Sequence, residues 1–302
     1  MEKIFVPPIK IQGIKTKLVP LIKKNICVDK NTIWIEPFMG SGVVGFNVRP
    51  SKAIFSDINP HLINFYNALK TKKISSKIVR NFLTENGKIL SERGNEYYLE
   101  VRERFNNFHE PLDFLFLNRS GFNGMIRFNR SGKLNVPFCH KPDRFSKSYI
   151  TKIVNQVRYI ENCLEIFDWQ FICQDFCEII NFAKKFQNVF IYCDPPYIDR
   201  NVDYYDSWTE FDEKKLLDAL KKSEKNFMLS TWFENNFRKN VYVETLWNFC
   251  NKIFQEHFYH VGAKESNRHS MTETLLTNYL LNHDLNISSN YRNFSSQILL
   301  SL

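Results

Sequence analysis

No stretch of this 302-residue chain stays apolar for the ~20 residues that a bilayer-spanning helix needs. A membrane-embedded helical protein is therefore not expected. The first eight residues, Met1-Glu2-Lys3-Ile4-Phe5-Val6-Pro7-Pro8, carry no long apolar core and are broken by proline. They do not read as a secretory signal, and a cytoplasmic location is the expectation. The seven cysteines are scattered. Cys173 and Cys177 stand four apart, but no second Cys or His pair completes a zinc set, so reduced thiols and no metal are expected. Glycine is scarce, at ten residues, and none opens a Gly-Lys-Ser/Thr phosphate loop. Neither repeats nor low-complexity segments occur, which excludes solenoid and array architectures.

Apolar residues, at 43%, are ample for a core, and the length suits one large domain or one domain carrying an insertion. The formal net charge is +9, with a pI near 9.1. A basic balance fits nucleic acid but also fits a merely solvated surface. The 28 Phe and 13 Tyr favour the former, because rings set among Lys and Arg can stack on bases.

The apolar pattern places a short buried strand at 33–38, a glycine turn at 39–42, a helix starting at 43, a second strand at 52–57 and a helix at 60–69. This is the first half of a nucleotide-binding α/β unit. The rhythm fails between 70 and 160, where charged and aromatic residues mix. Arg130-Ser131-Gly132-Lys133 reads there as a hairpin turn between 125–129 and 134–138. Alternation returns with a strand at 171–175, a helix at 176–186, a strand at 189–193, a helix at 213–222 and a strand at 227–231. Apolar runs at 253–260 and 273–281 suggest a closing antiparallel pair. The division is a catalytic domain of 1–69 and 161–281, an inserted domain of 70–160 and a C-terminal tail of 282–302.

The strongest local signal is Asp194-Pro195-Pro196-Tyr197, directly after the apolar run 189–193. Aspartate is an acceptor, and each proline has a fixed φ and no N–H, so the intervening carbonyls project outward. Tyrosine adds a flat ring. Together they suit an exocyclic amine on a planar base; the bland alternative is a simple Asp-Pro turn. Phe38-Met39-Gly40-Ser41-Gly42 lets backbone approach a ligand. It is taken as a glycine turn facing a nucleoside, not as a dinucleotide fingerprint. Asp57, 15 residues beyond Gly42, suits ribose hydroxyls, and Asp175 suits an adenine amine. Either acid could instead be only a helix N-cap. Lys15, within Gln12-Gly13-Ile14-Lys15, is a cation near these loops or one more solvated lysine.

The order Gln12-Gly13-Ile14-Lys15, Glu36-Pro37-Phe38-Met39-Gly40-Ser41-Gly42, Asp57-Ile58-Asn59, a long insertion and Asp194-Pro195-Pro196-Tyr197 resembles the Dam-like N6-adenine DNA methyltransferases, in the motif order called the alpha class. The likeness covers about residues 5–280. The insertion's Leu117-Asn118-Arg119-Ser120-Gly121-Phe122-Asn123-Gly124 and Asn135-Val136-Pro137-Phe138 look like the family's recognition segment. Val6-Pro7-Pro8-Ile9-Lys10 and His257-Phe258-Tyr259-His260-Val261-Gly262-Ala263 are closest to the EcoRV-type modification methyltransferases. One departure is Ile11, where many members carry Trp or Tyr.

The resemblance implies an α/β, Rossmann-like, S-adenosylmethionine-dependent methyltransferase sheet with an inserted, mainly helical target-recognition domain carrying a β-hairpin. It implies that Lys15, Phe38, Gly40, Gly42, Asp57, Asp175 and Asp194 surround the cofactor, and that Asp194, Pro195, Pro196 and Tyr197 hold a flipped adenine. Asn123, Met125, Arg127, Asn129, Arg130, Lys133 and Pro137 would meet double-stranded DNA. Of these, Arg127 suits a guanine edge and Asn123 and Met125 the space left by the flipped base. Arg130 and Lys133, with Lys141 and Arg144, suit phosphates. The expected enzyme is a monomeric modification methyltransferase paired functionally with a restriction endonuclease, with GATATC as the site. The alternatives are an RNA or cytosine-N4 amino-methyltransferase, although the latter more often has Ser in place of Asp194, and a catalytically silent DNA-binding regulator.

Overall fold

The computed structural model describes residues 3–198, 208–235, 237–260 and 268–280. Seven strands form one sheet: β1 (Ile33–Glu36), β2 (Lys52–Asp57), β3 (Asp168–Cys173), β4 (Val189–Cys193), β5 (Asn226–Asn235), β6 (Asn251–His260) and β7 (Arg268–Thr277). Their order is β3-β2-β1-β4-β5-β7-β6, parallel except for β7, which runs antiparallel to both neighbours. This is the Rossmann-like sheet with the closing antiparallel pair that the pattern anticipated.

The pleat sorts the core. Successive strand residues point to opposite faces, so the central strands must be apolar on both. Trp34, Phe55, Phe190 and Tyr192 pack on one face, and Ile35, Ile54, Ile191 and Cys193 on the other. The first face is covered by α1 (Val19–Asn25), α2 (Val43–Val48) and α3 (Pro60–Lys70). The second is covered by α8 (Phe176–Ala183), α9 (Glu210–Ser223) and the short α10 (Tyr242–Thr245). Trp34, Trp169, Trp247, Phe46 and Phe55 are fully buried, and rings of this size contribute roughly 1.5–3 kcal/mol each.

Between β2 and β3, beyond α3, lie α4 (Ser76–Arg93), α5 (Asn95–Phe108), α6 (Pro111–Ser120) and α7 (Lys147–Ile166). Ser75 and Ser146 cap α4 and α7, accepting from the Ile78 and Tyr149 N–H groups. Helix α6 is buried almost all round, because α3, α4 and α5 enclose it. The expected boundary at 160 falls inside α7, which feeds β3 directly.

The expected strand at 171–175 starts earlier, at Asp168, and ends at Cys173. Asp175 therefore lies past the sheet. Around Arg130-Ser131-Gly132-Lys133 the expected hairpin is present only as the antiparallel bridges Phe128↔Leu134 and Gly121↔Phe138. Asn129 explains the loss of ladder: its Oδ1 accepts the Ser131 and Lys133 N–H groups at 3.0 and 2.9 Å, folding the tip as an Asx-type turn. The tail 282–302 and residues 261–263 lie outside the described residues.

Candidate functional site

Strands β1 and β4 are neighbours whose crossovers leave in opposite directions, to β2 and to β5. A crevice opens beyond their carboxyl ends at such a switch point. Two loops enter it: the glycine turn after β1 and Asp194-Pro195-Pro196-Tyr197 after β4.

Gly40 (φ +49°) and Gly42 (φ +75°) adopt left-handed backbone. The Gly40 N–H donates to Asp57 Oδ2 at 2.9 Å, while Asp57 Oδ1 accepts from the Asn59 N–H at 2.9 Å. Asp57 thus ties the turn to the end of β2. Burial pushes its carboxyl up, and these two backbone bonds oppose the shift. Capping of α3 falls to Asn59, whose Oδ1 accepts from His61 and Leu62. A Cβ at Gly40 would meet nothing nearer than Ile11 at 3.9 Å, so the turn leaves open space before the strand ends.

Setting this nucleoside-facing turn apart from the dinucleotide fingerprint does not fit the spacing. Gly40, Gly42 and Gly45 stand at G-x-G-x-x-G spacing. A Cβ at Gly45 would lie 2.2 Å from the Phe55 ring and 2.6 Å from Glu36 Oε2, so this glycine lets α2 press onto the sheet. That is the packing role of the third glycine in such loops.

Lys15 reaches the crevice because its segment is pinned twice. Asn47 on α2 exchanges hydrogen bonds with Phe5 backbone (2.8 and 2.9 Å), and Asn118 on α6 does so with Lys10 (2.8 and 2.9 Å). Each asparagine imitates a strand partner. Lys15 is buried, and its Nζ bonds Gly13 O and Asp194 Oδ1, both at 2.8 Å. It also sits 4.7 Å from the Tyr197 ring centre, a cation–π placement.

Asp194 is one-fifth exposed. Its Oδ1 also accepts from Ser230 Oγ on β5 at 2.8 Å. Among the described residues nothing occupies Oδ2. Burial raises its pKa, with Glu273 adding to the rise, while Lys15 and Ser230 pull it down. Pro195 is buried, Pro196 and Tyr197 half-buried, and the Tyr197 hydroxyl donates to Glu273 Oε1 at 2.8 Å.

Other expected residues sit less directly. Phe38 stacks on Phe176 (5.2 Å) and meets the edge of Trp208 (5.6 Å), joining the second core. Asp175 caps α8, accepting from the Cys177 N–H at 2.9 Å. Arg127 is half-buried, its Nε and Nη2 bonded to Asn135 Oδ1 (3.0 Å) and Asn135 O (3.2 Å). Asn123, Asn129, Arg130, Lys133 and Pro137 are exposed and Met125 is half-buried, all on one segment. Asn123 takes φ +52°. Lys141 is exposed, whereas Arg144 bonds Arg119 O and the Tyr149 hydroxyl, both at 2.9 Å.

Sequence reasoning missed Ser230, Trp232 and Glu273. Glu273 carried a signal, as a lone acid inside the run Thr272-Glu273-Thr274-Leu275-Leu276. Ser230 and Trp232 carried none. Glu36, quoted only as motif, is fully buried; its Oε2 accepts from Trp34 Nε1 (2.9 Å) and the Gly45 N–H (3.1 Å). Burial pushes its pKa to about 8, with Asp194 and Asp57 adding to the rise. A carboxyl raised on folding supplies stability that is complete below its unfolded pKa near 4.5 and is lost up to about 8. Glu36→Gln keeps an acceptor for both bonds and does not titrate. Its melting temperature should gain on wild type steadily between those pH values; parallel curves in a pH series would refute this.

The profile of the D12 class N6 adenine-specific DNA methyltransferases matches residues 12–267. A DNA adenine methylase of Vibrio cholerae is 33% identical over 245 residues, covering 76% of this chain and 80% of that protein. One from Haemophilus influenzae is 32% identical, covering 78% and 82%. The type II methyltransferase M.FokI of Planomicrobium okeanokoites is 30% identical over 90% of this chain, which spans 42% of that longer protein. A solved rRNA methyltransferase, aviRa from Streptomyces viridochromogenes, aligns with a TM-score of 0.38 at 12% identity over 87% of this chain and 83% of that one, too weak a likeness to bear on function.

Proposed function

Because this chain belongs to the D12 class of N6 adenine-specific DNA methyltransferases, we propose that it methylates a flipped adenine held against Asp194, Pro195 and Tyr197, with S-adenosylmethionine as donor. The observation that carries this reading is the division of labour on Asp194. Lys15 and Ser230 both occupy Oδ1, which leaves Oδ2 as the acceptor.

The adenine amine is buried in the duplex and its lone pair is delocalised into the ring. Extrusion costs a few kcal/mol, offset by stacking on Tyr197. Hydrogen bonds from N6–H to Asp194 Oδ2 and the Pro195 carbonyl favour a pyramidal nitrogen whose lone pair points into the crevice. This is catalysis by positioning and fixed charge. S-adenosylmethionine, when bound, supplies an electrophilic methyl carbon on a sulfonium. The residues fit such a group: Gly40 opens space, and each Asp57 oxygen keeps a lone pair for a ribose hydroxyl. Lys15, Phe38, Gly42 and Asp175 complete the proposed surround, with Asp175 acting at adenine beside its capping role.

The insertion of about 70–160 is proposed to read DNA through the segment carrying Asn123, Met125, Arg127, Asn129, Arg130, Lys133 and Pro137. Asn135 holds Arg127 in a fixed fork, which suits bidentate contact with guanine. Arg127→Ala should cut discrimination at one base pair by about 10–100-fold. Lys133→Ala should weaken all sequences alike and lower the salt slope by about one. Methylation rates on a panel of singly altered sites decide this; an Arg127→Ala profile matching wild type places the reader elsewhere.

Similarity to type II methylases supports a modification role beside a restriction nuclease. We further propose, from the sequence motifs alone, that the enzyme acts as a cytoplasmic monomer on GATATC. Modified-base sequencing of plasmid from expressing cells tests it. Methyladenine at GATATC supports the site, another motif reassigns it, and unmodified DNA removes the reading.

A further inference from the structure

We propose that Ser230, Trp232 and Glu273, on one face of the β5–β7 pair, form a clamp that positions Asp194 and Tyr197 for transfer. The inference rests on the function proposed above and adds positioning residues to it.

The register puts these side chains together. Trp232 pairs with Glu273 and Ser230 with Leu275, and residues two apart on a strand share a face. From that face each group holds a different part of the segment after β4. Ser230 Oγ donates to Asp194 Oδ1 at 2.8 Å, Glu273 Oε1 accepts from the Tyr197 hydroxyl at 2.8 Å, and Trp232 Nε1 donates to Ile198 O at 3.2 Å. Ser230, Trp232 and Glu273 are all buried, so the clamp's own polar groups lie away from water and a lost partner is not replaced cheaply.

The hydroxyl of Ser230 has one proton. Given to Asp194, it leaves Ser230 an acceptor for Tyr192, whose hydroxyl lies 3.0 Å away. Burial holds the Tyr192 phenol well above its usual range, so it keeps its proton and can donate. A relay Tyr192–Ser230–Asp194 therefore fixes the carboxylate rotamer and turns Oδ2 outward. The pairing slips between Trp232 and Glu234, which leaves Phe233 as the extra residue just past the clamp. Bulges of this kind re-aim side chains beside active sites.

The test measures kcat and KM on a duplex carrying the target adenine, with thermal melting as a control. Ser230→Ala and Glu273→Ala should lower kcat by about 10–100-fold with KM for DNA and donor little changed, because misplacement of the reacting groups costs rate rather than affinity. Trp232→Phe, which keeps a ring and loses the N–H, should fall in the same sense. Glu273→Gln keeps an acceptor and should stay near wild type. On a Tyr197→Phe background the Glu273→Ala change should cost clearly less than it does in wild type, since the Tyr197–Glu273 bond is already gone. Wild-type kcat in both alanine variants overturns the clamp. So does a full Glu273→Ala loss on top of Tyr197→Phe, or KM and melting temperature moving together with kcat. If the wild-type protein does not methylate adenine, the functional reading fails instead, and the two failures are distinct.

Discussion

Asp194→Ala is expected to lower the rate of methyl transfer by about a thousandfold or more, while cofactor and DNA binding persist in part. The substitution removes Oδ2, the acceptor proposed for N6–H. It also removes the partner of Lys15, which lies 2.8 Å away, leaving a buried ammonium whose other bond is to Gly13 O. Both effects fall on the proposed reacting geometry, because the glycine turn is fastened separately by Asp57. Single-turnover methyl transfer checks the rate, and ultraviolet cross-linking of donor with filter binding of DNA checks the rest. An active Asp194→Ala enzyme ends the assignment. Since burial raises the Asp194 pKa, the acid limb of the wild-type rate should lie above the ordinary aspartate range near 3.8, with activity lost as pH falls through it.

Gly45→Ala is the second large effect, and it acts on the fold. The added carbon would sit 2.2 Å from a fully buried Phe55 ring and 2.6 Å from Glu36 Oε2. Phe55 is wedged among Phe46, Trp169 and Phe171 and cannot withdraw. Helix α2 must therefore lift from the sheet, taking the glycine turn with it. Overpacking a tight core costs 1–3 kcal/mol, and a clash this short belongs at about 3 kcal/mol or beyond. Denaturant titration should show a midpoint far below wild type, with donor affinity falling as well. A midpoint within error of wild type would mean that α2 is not anchored through Gly45. By contrast Gly132→Ala, whose Cβ would meet nothing within 4 Å, has only its φ of +71° to oppose it.

Continuous apolar runs were enough to place the central parallel strands, since a strand covered on both faces must be apolar throughout and few other segments can be; β3, at the sheet edge, alternates and was placed a few residues late. The runs also placed Asp57 and Asp194 at strand ends, because each acid directly follows or closes a buried run. The motif order carried the family. The tertiary structure alone settled what those acids touch. Asp175 proved to be a cap for α8, since β3 stops two residues before it, and the N-cap of α3, the alternative role of Asp57, went to Asn59, which stands directly before the helix. The tip at 129–133 folded around Asn129 rather than as a ladder, a local choice that residue type permits but does not compel.

Ser230, Trp232 and Glu273 could not be foreseen for a deeper reason. Ser230 is 36 residues from Asp194, and Glu273 is 76 from Tyr197. Ser230 meets Asp194 because β5 pairs in parallel beside β4, and Glu273 joins them because β7 inserts antiparallel between β5 and β6 in one register; a slip of β7 by one residue would turn Glu273 to the opposite face. Chemistry that belongs to a short run of residues is written in the chain, whereas chemistry that needs two strands in register exists only once the sheet has closed.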